Sequence, residues 1–69
     1  MQTVNVIEIN DRGSVASLRA FAEAIPAETL FVELVKSQTD HTDSEIEQCL
    51  DEGHVEVPGG GSIQLVWSS

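Results

Sequence analysis

Apolar residues recur at two different periods along this chain, and the changes of period mark its elements. "TVNVIEI" (Thr3 to Ile9) is rich in β-branched residues and predicts a strand. Val4 and Val6 share one face, Ile7 and Ile9 the other, so the strand is partly covered on both sides or carries a bulge. "NDRGS" is a turn cluster. In "VASLRAFAEAI" Val15, Leu18, Phe21, Ala22 and Ile25 follow helical spacing, with Ser14 as N-cap and Pro26 as terminator. "LFVELVK" alternates as a second strand: Leu30, Val32 and Leu34 on one face, Phe31, Glu33 and Val35 on the other.

After "SQTDH" comes a second helix with explicit end signals. Thr42 and Glu45 fit the capping box, and Gly53 is placed for the left-handed closing residue. "HVEV" and "IQLVW", joined by "PGGGS", predict a hairpin in which Val55 and Val57 face Ile63, Leu65 and Trp67. The expected order is therefore β-α-β-α-β-β. Its first βαβ unit would be a right-handed parallel crossover. The expected fold class is α+β, a two-layer sandwich with a four-stranded mixed sheet and two helices on one face.

Sixty-nine residues make one small domain, 1–69. Folds of this size bury only about 60% of their unfolded surface and are often reinforced by metals, disulfides or association. Cys49 is the sole cysteine, which rules out an internal disulfide and suits a reducing, cytoplasmic setting. The first residues lack a basic segment followed by an apolar run, so no secretory signal is expected.

Charge changes the picture most. The net charge is −9, and it is uneven: residues 1–39 carry five acids and three bases, residues 40–69 seven acids and no base. Phosphate backbones and anionic membranes make poor partners for such a surface; a basic protein makes a good one. With Asp43 at 0° and about 100° per residue, Ile46, Cys49 and Leu50 form an inward stripe. Asp43, Glu47 and Asp51 then form an unbroken flank, about 6 Å apart along the axis. Each i,i+4 like-charge pair weakens the helix by roughly 0.2–0.5 kcal/mol. Asp51 and Glu52 oppose the helix dipole at a further ~0.3–1 kcal/mol each. No lysine relieves this cost.

Candidate chemistry is thin. Gly59-Gly60-Gly61 is followed by no lysine and no helix, so it is not a phosphate loop. A calcium loop starting at Asp40 would need Gly and Glu where the chain has Glu45 and Asp51. Cys49, His41 and His54 lack the paired spacing of a zinc site. Carboxylates around Cys49 disfavour a nucleophilic thiolate. No catalytic residue, cofactor or metal is expected.

The sequence thus leads to a non-catalytic acidic module, an inhibitor or regulator that engages a basic, nucleic-acid-binding protein by mimicking nucleic-acid phosphates. Asp40, Asp43, Glu45, Glu47, Asp51, Glu52 and Glu56 are the candidate contact residues. Small acidic inhibitors carried by phages work by this logic, a likeness of charge and size. The alternative is an assembly protein, forming a homodimer through strand edges at Thr3–Ile9 or Ile63–Trp67 and apolar contacts.

Overall fold

A computed structural model of the chain describes residues 3–68. The elements are β1 (Thr3–Ile9), β2 (Val15–Phe21), α1 (Ala24–Gln38), α2 (Asp43–Glu52), β3 (His54–Glu56) and β4 (Ser62–Ser68). They build one four-stranded sheet in the order β2-β1-β4-β3, with every neighbouring pair antiparallel. The α+β class and the layer of helices on one sheet face stand as expected. The element order does not. It is β-β-α-α-β-β, without a parallel crossover, so the sheet is antiparallel rather than mixed.

The first correction is Val15–Phe21, a strand rather than a helix. The turn before it decides this. Asn10 Oδ1 accepts from the backbone N–H groups of Arg12 (2.9 Å) and Ser14 (3.0 Å), while Gly13 supplies a φ of 82°. That local chemistry folds the chain straight back on β1 before any helix can start. Ser14 therefore caps nothing and instead gives its carbonyl to the N–H of Asn10. The register shift between Glu8 and Ile9 leaves Ala16 of β2 as the extra residue, so the bulge lies in β2. β1 itself runs in unbroken register with β4 and is partly covered on both faces.

The second correction is Leu30–Lys36, which lies inside α1 rather than in a strand. "LFVELV" is apolar at nearly every position, so a short window matches period two as well as period 3.6. Over the whole of α1 the buried residues are Ala27, Phe31 and Val35, one per helical turn. Pro26 opens this helix instead of closing one. It sits in the first turn, where its missing N–H has no intrahelical partner to lose.

Side-chain alternation places Val4 and Val6 of β1, Ile63 and Leu65 of β4, and Val55 of β3 on one sheet face. Ala27, Phe31 and Val35 of α1 and Ile46 of α2 close over them to complete the core. The hairpin forms as expected, with Val55 opposite Ile63, but Leu65 and Trp67 face Val6 and Val4 of β1. Val57 lies just past β3, half-buried. The opposite sheet face carries Ile7, Ile9, Val15, Leu18 and Val66 with no helix above them. Strands β1 and β4, expected as open edges, are both interior, and the edges are β2 and β3.

Candidate functional site

The acidic helix α2 is fixed at both ends by its own sequence. The Glu45 N–H donates to Thr42 Oγ1 (3.3 Å) and the Thr42 N–H donates to Glu45 Oε1 (2.9 Å), the reciprocal pair of a capping box. At the other end Gly53 takes a left-handed φ of 70° and donates its N–H to the Cys49 carbonyl. Its own carbonyl accepts from the Leu65 N–H at 2.8 Å, tying the helix end to the sheet. Ile46 is buried between these anchors, with Cys49 and Leu50 half-buried beside it.

This seating turns the carboxylates outward. Asp43, Glu47 and Asp51 are all exposed along one flank of α2. Lys36 Nζ approaches Asp43 Oδ1 at 4.0 Å, with side chains 59% and 95% exposed. A pair so open to water contributes about 0–1 kcal/mol and leaves the row strongly negative. Among the described residues no other lysine or arginine bridges to a carboxylate.

The remaining acids gather elsewhere. Asp40, Glu45 and Glu56 line a cleft of about 430 Å³ with Thr39, His41, Val57 and Pro58, at the junction of the α1–α2 loop and the β3 hairpin. His41 Nδ1 stands 3.7 Å from Glu45 Oε2. The Glu45 carboxyl is held below its usual range, first by the backbone N–H of Thr42, then by the Thr42 side chain, and last by His41. Glu52 is exposed on α2 and, after burial, is the next cause pushing the Cys49 thiol up; Glu45 adds to it. That keeps Cys49 protonated and poorly nucleophilic.

Six of the seven candidate residues thus form two groups around α2, a flank and a cleft, and the seventh, Glu52, is the last residue of the helix. No three described His, Cys, Asp or Glu side chains are arranged to hold a metal ion. No described helix is long and apolar enough to cross a membrane. A depression of about 390 Å³ along the outer face of α1, lined by Ile25, Glu28, Thr29, Val32, Glu33 and Lys36, was hidden from sequence by the strand assignment there. Set against models of known protein families, curated proteins and solved structures, the chain matches none of them.

Proposed function

We propose that this protein is a non-catalytic acidic binding module, an inhibitor or regulator that works in the cytoplasm on a basic, nucleic-acid-binding protein. One observation supports this above the rest: Asp43, Glu47 and Asp51 stand in line on an exposed flank whose only cation among the described residues is Lys36, 4.0 Å from Asp43. Carboxylates at one-turn spacing on a rigid, doubly capped helix resemble a short run of phosphates. A Lys/Arg-lined groove would be steered to them and then occupied. The cleft acids Asp40, Glu45 and Glu56 extend the negative surface around the N-terminus of α2. The phage-encoded inhibitors that use nucleic-acid mimicry offer the nearest physical precedent.

The test compares wild type with the combined Asp43→Asn, Glu47→Gln, Asp51→Asn variant as immobilised bait in source-cell lysate. Bound protein is eluted by a salt gradient and challenged with duplex DNA. A nucleic-acid-binding protein that elutes early in salt, is displaced by DNA and is lost by the variant supports the mimic. Retention unchanged by the triple substitution excludes it.

A further inference from the structure

We propose that two copies of this chain pair through the free edge of β2, joining their four-stranded sheets into one continuous sheet across a two-fold axis. The two sheet edges are treated differently by the sequence. β3 is three residues long, carries His54 and Glu56, and runs into Pro58 and three glycines. Short length, charge and proline are the usual means of protecting an edge. β2 lacks the short length and the proline and carries a single charge. It is seven residues long without proline, Arg19 is its one charged residue, and its register shift lies at the turn end. Val15 and Leu18 are 58% and 56% exposed.

The charge map allows the approach. Residues 1–22 hold two acids, Glu8 and Asp11, and two bases, Arg12 and Arg19, so the β1–β2 hairpin is neutral. All the excess negative charge lies in residues 23–69. Because α2 packs toward β3, at the far side of the sheet from β2, edge pairing keeps the two acidic helices at opposite ends. Pairing at the β3 edge would bring them together.

The occupant is a second copy because the edge complements itself. In an antiparallel register centred on Leu18, the two Leu18 side chains meet at the axis. Each is already paired with Ile7 of its own β1, so an uncharged apolar band of Ile7 and Leu18 runs across both copies. On the helix-bearing face Arg19 of one copy falls opposite Ser17 of the other. Ser17 Oγ donates to Glu8 Oε2 at 2.7 Å, and Gln38 Nε2 donates to Glu8 Oε1 at 2.7 Å. Among the described residues Glu8 therefore meets only neutral donors, and Arg19, lying over the Phe21 ring at 5.4 Å, bridges to no carboxylate. The two-fold brings each Arg19 to the other copy's Glu8.

Sedimentation equilibrium of the full chain tests this, at low and high salt. The expected result is a dimer that persists or tightens in salt, because the net repulsion between copies is screened. Leu18→Asp, which puts two carboxylates face to face at an exposed position, should weaken dimerisation at least tenfold while leaving the circular dichroism unchanged. A second measurement stands even if that variant unfolds. In a Cys49→Ser background, Leu18→Cys should oxidise to a disulfide dimer at least tenfold faster than Val66→Cys on the open sheet face. A wild-type monomer throughout, a dimer indifferent to Leu18→Asp, or equal crosslinking at both positions would each overturn the proposal. None of these outcomes bears on the acidic flank, whose binding is weakened by salt.

Discussion

Thr42 and Glu45 hold each other across the first turn of α2, each side chain accepting from the other's backbone N–H at 3.3 and 2.9 Å. The pair does more than start a helix. It sets the angle at which Asp43 and the carboxylates behind it leave the surface. Thr42→Ala removes the cap and should cost about 1 kcal/mol. For a domain of this size that is roughly 4–8 °C in Tm, measurable by circular dichroism.

The same pair predicts a pH dependence. The folded-state pKa of Glu45 lies below the unfolded one, chiefly through the Thr42 backbone N–H. Its contribution to stability is therefore present above the ordinary carboxylate range and is lost as pH falls through the depressed value. Glu45→Gln keeps an accepting oxygen but cannot titrate. Its urea midpoint should fall less than that of wild type as the pH drops from about 5 to 3. Parallel declines in the two proteins would contradict the assignment. Because Glu45 is exposed, the difference should shrink in high salt.

Gly53 carries the other end of α2. A Cβ there would sit 2.7 Å from the Leu65 carbonyl oxygen, at a φ of 70° that L side chains rarely adopt. Gly53→Ala should therefore destabilise by about 1–2 kcal/mol from the backbone alone, with the collision against β4 added. Urea unfolding of the variant measures the sum. A variant as stable as wild type would mean that the helix does not close on this residue.

Sequence made the second half of the fold legible and misjudged the first, for a physical reason. Where one residue type is required by backbone geometry, as at Thr42, Glu45 and Gly53, the pattern and the structure agree to the residue. Between Val15 and Val35 the elements are decided by tertiary pairing instead. "VASLRAF" has apolar residues that suit either period, and only its return against β1 selects the strand. The outward flank of α2 was legible because an amphipathic helix orients itself. The grouping of Asp40, Glu45 and Glu56 in one cleft was not, since it depends on how the hairpin folds beside α2. The same error concealed the edge strand, because β2 was taken for a helix.

Phe31 and Ile25 separate the two assignments of this region in solution. Phe31 is completely buried in α1, under the face made by Val4, Val6 and Ile63, whereas Ile25 is 77% exposed. Phe31→Ala should cost about 3–5 kcal/mol, enough to unfold much of so small a domain at 37 °C. Ile25→Ala should stay within about 0.5 kcal/mol of wild type. Thermal melts of both variants decide it; an Ile25 effect as large as that of Phe31 would restore the helix running from Val15 to Ile25.

Asp51→Lys sets stability against binding at a single residue. Asp51 is exposed in the last turn of α2, where it opposes the dipole and repels Glu47 one turn earlier. A lysine there reverses both terms, because a cation suits the C-terminal end and pairs with Glu47 at i,i+4. The expected gain is about 0.5–1.5 kcal/mol, seen as a higher urea midpoint with an unchanged slope. The same substitution replaces one end of the carboxylate row with a positive charge. Capture of a basic partner should weaken and its salt dependence should flatten. A surface kept only for solubility would gain the stability and lose no binding. Opposite signs from one mutation are the mark of a helix that is held below its attainable stability because its charges are used elsewhere.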